Sequence, residues 1–153
     1  MIQEATIERT LERLSSGGED FAQDLADFGE AQPFLLAYLT QEDTEAFTSQ
    51  EQELLLFAAV VIYQSIVDEQ PEPARVEGEA IAAAEEKNYL LLQEQQSRSF
   101  RERITVFFDQ SEEEEILAMV EDLLTADEDS PISAEAREAM FVCLKTVMDT
   151  LLV

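Results

Sequence analysis

The sequence predicts an all-α fold: a single domain over residues 1–153, with about seven helices forming an irregular bundle around a buried central helix at about 50–68. Three observations support this prediction. Apolar residues recur at helical spacing from end to end, and strand alternation is nowhere convincing. Four glycines and four prolines are too few for a turn-rich β sandwich or barrel. Apolar residues make up 46% of the 153 residues, the usual share for a globular protein.

The first third of the chain predicts three short helices. An approximate helical stripe runs through residues 2–14 and stops at the Ser-Ser-Gly-Gly sequence that follows. A second stripe over 21–28 is interrupted at Gly29 and Pro33. Pro33 suits the first turn of a third helix over 34–39, because a missing N–H costs little there.

The central helix has the clearest start in the sequence. The Thr48 hydroxyl can cap the backbone while Glu51 reaches back in a capping box. The helix that follows is apolar on nearly all sides through residues 54–63, so other helices must surround it. The Gln-Pro-Glu-Pro sequence at 70–73 ends this helix and is the best linker candidate. Each half of the chain would be marginal alone, which favours one domain.

Four more helices are predicted after this linker. The first runs from about residue 74 to 95. Capping boxes at 99–102 and 111–114 open the next two helices. Ser133 caps the last helix, which remains apolar through residues 151–153. Such a helix is expected to dock into the core or onto a second subunit.

The chain is strongly acidic. It has 35 Asp and Glu residues against 9 Lys and Arg, and its formal net charge is −26. Binding to nucleic acid depends largely on Lys and Arg at phosphates, so we expect neither nucleic acid nor a membrane surface as a partner. The same field favours a basic partner and raises its association rate. Adaptation to a salt-rich cytoplasm and simple solubility are alternative explanations of the charge.

The sequence lacks the residues and motifs of common catalytic chemistry. No histidine occurs, which removes the commonest general base and zinc ligand. Cys143 is the only cysteine, and its apolar neighbours predict a buried small hydrophobe rather than a reactive thiol. No P-loop, Gly-x-Gly-x-x-Gly or Gly-x-Ser-x-Gly motif occurs. We therefore expect no cofactor, and the sequence leans against an enzyme.

The expected location is the cytoplasm. No basic segment followed by an apolar one, as in a secretory signal, occurs at the start of the sequence. The longest apolar stretch, over 54–63, is half the length that a membrane crossing needs.

Three of the nine basic residues lie within six positions, at Arg98, Arg101 and Arg103. In so acidic a chain, internal pairing is the favoured interpretation. Arg98 can pair with Glu102 one turn away, and Arg103 can tie its helix to a carboxylate on a neighbour. The alternative is a contact to an anion or to a partner, made by the guanidinium groups.

Two function classes follow from these observations. The favoured one is a non-catalytic protein–protein interaction module that engages a basic partner. The alternative is a helical bundle with a carboxylate-lined site for a metal or small ligand, which could serve an enzyme. Buried, convergent carboxylates would favour that alternative, with the candidates Glu45, Glu51, Glu53, Glu85 and Glu86. A homodimer is a further expectation, since Met119, Met140 and Met148 add adaptable apolar surface.

Overall fold

The computed structural model describes residues 2–15, 19–40, 47–71, 73–94, 99–125 and 134–152. Within these ranges the chain forms eight α-helices and no strand, which confirms the predicted all-α class. The helices are α1 Glu4–Ser15, α2 Glu19–Ala31, α3 Pro33–Leu39, α4 Ser49–Glu69, α5 Gly78–Gln93, α6 Phe100–Gln110, α7 Glu114–Thr125 and α8 Ala134–Leu151. Ser133, the predicted cap of the last helix, lies outside the described residues.

Helix α4 is the longest of these helices, and ten of its 21 residues are buried. Its buried residues include the unbroken run from Ala58 to Tyr63. The helix packs against α1, α2, α7 and α8. Its start has the predicted capping box: the Thr48 hydroxyl accepts from the Glu51 N–H at 3.1 Å, and the Glu51 carboxylate accepts from the Thr48 N–H at 2.8 Å.

Helix α8 supplies a second part of the core, and α5 is its main partner. The Phe141 ring on α8 is buried against two aromatic rings of α6. Its centroid lies 5.4 Å from that of Phe107 and 5.9 Å from that of Phe100. Cys143 is buried as predicted, and burial raises the pKa of its thiol to about 11. The thiol is therefore protonated near neutral pH, in keeping with a packing role.

The helix predicted from about residue 74 begins later, at Gly78. The reason is Gln32, whose side chain is fully buried between α2 and α3. Its amide Nε2 donates to the Ala74 carbonyl at 3.0 Å, and its Oε1 accepts from the Val76 N–H at 2.8 Å. These bonds hold residues 74–76 in a non-helical conformation and place the Val76 side chain in the core.

The start of α7 also differs from the prediction. The Ser111 hydroxyl accepts from the N–H of Glu113 at 3.0 Å rather than from that of Glu114, and the helix begins at Glu114. The Glu113 carboxylate accepts the Ile2 N–H, at 2.8 Å, from the other end of the sequence. The box predicted at 99–102 has its first bond, a 3.5 Å contact from the Glu102 N–H to the Ser99 hydroxyl.

The methionines predicted as adaptable dimer surface are buried. Met119, Met140 and Met148 all lie in the core. They face inward because the apolar stripes of α7 and α8 pack against other helices, so they do not form the exposed apolar surface that was expected. No helix in the described ranges is long and apolar enough to cross a membrane.

Candidate functional site

The arginines singled out in the sequence pair with carboxylates on different helices. Arg101 contacts Glu121 on α7 at 3.3 Å, and Arg103 contacts Glu138 on α8. Arg103 also donates to the Leu92 carbonyl at 3.4 Å. Arg98 lies outside the described residues. The structure therefore directs Arg101 and Arg103 to two different neighbours, and it shows the interhelical tie expected of Arg103.

The same use of cations recurs between α1 and α2. Arg13 on α1 contacts Asp24 on α2 at 2.7 Å, so this bridge also joins two helices. Exposed pairs of this kind contribute roughly 0–1 kcal/mol each, and the Arg101 side chain is 82% exposed. The chain has 35 acidic and nine basic residues, and three of the basic ones are used in these ties. Most acidic side chains therefore cannot pair with a Lys or Arg of this chain, and those at the surface face solvent or a partner.

A groove between α1 and α7 combines apolar and acidic side chains, and we call it the α1–α7 groove. It encloses about 230 Å³. Five apolar residues form its floor and walls, and four carboxylates surround them. None of its described lining residues is basic. The lining comprises Ile7, Leu11, Ala118, Met119, Leu123, Glu4, Glu8, Glu115 and Asp122.

Helical periodicity explains this combination. On α1, the lining residues are spaced as i, i+3, i+4 and i+7 from Glu4, which is one face of a helix. On α7, the same spacing starts at Glu115 and continues to Leu123. Ile7 and Met119 are buried at the bottom of the groove, whereas Glu4, Glu8 and Asp122 are exposed at its rim. Each helix thus contributes an apolar stripe bordered by acids.

Two carboxylates hold the segment that leads into α1. The Gln3 N–H donates to Glu69 at the end of α4, at 2.7 Å, and the Ile2 N–H donates to Glu113 ahead of α7. The bond from Gln3, assisted by Thr6, lowers the pKa of Glu69 below its ordinary value. The negative charge is also favourable at the N-terminal end of α1, where the helix dipole is positive. This arrangement fixes one end of the α1–α7 groove.

We expect Glu69 to make folding depend on pH in the acid range. Its pKa is lower in the folded than in the unfolded chain, so its stabilising effect is present above the unfolded value near 4.5 and is lost as pH falls through the folded value. E69Q should therefore be less stable than the parent at neutral pH, and this difference should shrink below about pH 4.5. Chemical unfolding at a series of pH values measures both.

The matched control is E30Q, which changes an exposed glutamate in the last turn of α2. Its stability difference from the parent should be small and nearly independent of pH. A pH-independent difference for E69Q would show that the charge on Glu69 does not act through the bond to Gln3.

A larger cavity of about 970 Å³ lies beside α5, α8 and residues 73–77. Its polar wall is a hydrogen-bonded network. Asn88 Nδ2 donates to Thr146 Oγ1 and to Asp149 Oδ2, both at 3.2 Å, and Lys145 Nζ donates to Asp149 Oδ1 at 2.6 Å. Asn88 Oδ1 is buried without a hydrogen-bond partner in the described part of the chain. Asn88 thus joins α5 to Thr146 and Asp149 of α8, while the Lys145–Asp149 pair lies within α8.

The carboxylates considered for a metal site do not gather into one. Glu51 caps α4, while Glu85 accepts a hydrogen bond from the Tyr38 hydroxyl. Burial, together with the neighbouring Cys143 and Glu85, raises the pKa of Tyr38 well above its usual value. Over the described ranges, no group of three or more Asp, Glu, Cys or His side chains is arranged to hold a metal ion. Glu45 lies outside those ranges.

Sequence reasoning did not identify the α1–α7 groove. The apolar spacing of each helix was visible, but the pairing of two helices about a hundred residues apart was not. Comparison with protein-family models, curated proteins and solved structures gives no match to this chain, so the functional inference rests on its own residues and charge.

Proposed function

We propose that this protein is a non-catalytic interaction module of the cytoplasm, and that it binds a basic segment of a partner protein in the α1–α7 groove. The observation that carries the proposal is the combination of an apolar floor with four surrounding carboxylates on a chain of net charge −26. A segment with one apolar anchor between lysines or arginines has the complementary chemistry.

The two parts of the groove have different expected roles. Burying an apolar side chain of the partner against Ile7 and Met119 would contribute roughly 1.5–3 kcal/mol. Exposed charge pairs at the rim would contribute at most about 1 kcal/mol each. The wider negative field raises the association rate and makes it fall as salt is added. The anchor therefore supplies most of the affinity, and the carboxylates supply selection for a basic partner.

Contacts between the two halves of the chain support treating residues 1–153 as a single domain. Helix α1 packs against α7, and α4 packs against α8. A partner bound in the α1–α7 groove would consequently contact both halves at once.

The test is a titration of the protein into a labelled synthetic peptide that carries one leucine between lysines. Fluorescence anisotropy of the peptide measures the binding. We expect E8K/D122K to weaken binding by roughly tenfold, the equivalent of about 1.4 kcal/mol, because both changes place cations at the rim. The control E30K/D109K changes net charge equally, at exposed sites in the last turns of α2 and α6.

The control variant should weaken binding by less than about threefold. Equal losses for the two double variants would mean that the peptide senses net charge alone, and the groove would be rejected as the binding site. Absence of binding by the parent protein at physiological salt would reject the proposed function itself.

A further inference from the structure

The outer face of α5 carries an apolar patch that the proposed function does not use. We call it the α5 patch and define it as Ala83, Glu86, Lys87, Leu90, Leu91 and Glu94, which line a groove of about 330 Å³. Leu90 is 54% exposed and is the more exposed of the two large apolar residues that the described surface presents. A single exposed leucine is common on a protein surface, but this one lies between charged side chains of opposite sign.

The charges of the α5 patch are arranged around its apolar centre. Lys87 lies one turn before Leu90, and Glu94 lies one turn after it. Seven residues separate the two charges, so they lie about 10 Å apart on the same face of the helix. Lys87 is one of only two lysines in the chain. The patch thus has Lys87 at one end, with Glu86 beside it, leucines in the middle and Glu94 at the other end.

We propose that the α5 patch binds a second copy of this chain through an antiparallel α5–α5 contact. A two-fold axis between Leu90 and Leu91 sets Lys87 of each copy against Glu94 of the other and brings the leucines together at the axis. A two-fold interface requires this kind of self-complementary surface. The α1–α7 groove does not meet that requirement, because its described lining contains acids and no cation.

Charge and size determine the strength of the contact. One helix pair buries less than the roughly 1,200 Å² at the low end of stable interfaces, so association is weak. Two copies of charge −26 also repel each other, and exposed ion pairs offset little of that repulsion because they are weak. At physiological ionic strength, salt screens the repulsion between charges that are more than about 8–10 Å apart. Self-association therefore strengthens with added salt, whereas peptide binding in the α1–α7 groove weakens.

The test is sedimentation velocity over a range of protein concentrations, at roughly 0.05 M and 0.5 M NaCl. We expect a monomer–dimer equilibrium that shifts toward dimer at the higher salt. K87E and E94K should each raise the dimer dissociation constant about tenfold, because each sets like charges opposite one another. The double variant K87E/E94K restores opposite charges and should return to within about threefold of the parent.

Both substituted positions are exposed, and circular dichroism of each variant checks that the helices remain. F34A removes the other exposed large apolar residue and should leave the equilibrium unchanged. A monomer at all concentrations and both salts would overturn the proposal, as would single variants that dimerise like the parent or a double variant that fails to recover. Each of these outcomes leaves peptide binding in the α1–α7 groove unaffected, so the two proposals fail independently.

Discussion

F141A is expected to lower the free energy of unfolding by about 3–5 kcal/mol, the usual cost of removing a buried phenylalanine ring. Phe141 is 1% exposed and lies against Phe100 and Phe107, so the substitution leaves a cavity between α6 and α8. Domains of this size are typically stable by only about 5–15 kcal/mol. Urea unfolding followed by circular dichroism should therefore show a large fall in the midpoint with little change in slope.

F34A is the matched control because it removes the same ring from a residue that is 42% exposed on α3. Its cost should be below about 1 kcal/mol, since water already covers much of that ring. Similar losses for the two variants would mean that the Phe141 site collapses around the smaller side chain, and that the aromatic cluster is not a rigid part of the core.

Q32L is expected to cost about 1–3 kcal/mol, although leucine nearly matches glutamine in size. The reason is the buried N–H of Val76, which donates a hydrogen bond to Gln32 Oε1 at 2.8 Å. Leucine has no acceptor, so the substitution would leave this N–H without its partner. The Ala74 carbonyl loses its donor too, but Ala74 is exposed and water can replace it. Urea unfolding measures the loss, and hydrogen exchange should report faster exchange at the Val76 amide.

The control is Q23L, which makes the same change on the exposed face of α2, where Gln23 donates to Asp27 one turn away. It should alter the free energy of unfolding by less than about 0.5 kcal/mol. If Q32L were equally mild and Val76 remained protected, the side chain of Gln32 would not be what holds residues 74–76 out of a helix.

The parts of the fold that sequence reasoning predicted depend on neighbouring residues. The Thr48 capping box and the apolar run over 54–63 are contained within α4, so local rules were sufficient for its bounds. The short helix after Pro33 follows for the same reason. In each case the residues that decide the structure lie within a few turns of one another.

The predictions that were wrong concern segments whose structure is determined by a residue distant in the sequence. Local spacing extended α5 back to about residue 74, but Gln32 holds that segment from more than forty positions away. A capping box was predicted at 111–114, but the Ser111 hydroxyl accepts from the Glu113 N–H, and the Glu113 carboxylate accepts from the Ile2 N–H, 111 residues away. The methionines were assigned to the surface because periodicity does not show which neighbours will cover a stripe. The α1–α7 groove was not predicted for the same reason, because periodicity does not show which two helices will pack together.

The charge of the chain was evident at once, but its distribution was not. Arginines that looked like a cluster at 98–103 are directed to separate helices where the structure describes them. The acids that matter most for the proposed function were ordinary members of helical stripes in the sequence. Their grouping around an apolar floor depends on tertiary packing, which no count of glutamates contains.

The network between α5 and α8 has a practical consequence for chemistry at amines. The chain has two lysines, and the Lys145 side chain is 11% exposed and bound to Asp149. Lys87 stands on the open face of α5. Reagents or enzymes that acylate lysine side chains are therefore confined largely to one position. An acyl group placed there removes the cation of the α5 patch, so acylation of the more accessible of the two lysines should abolish the proposed pairing of two copies.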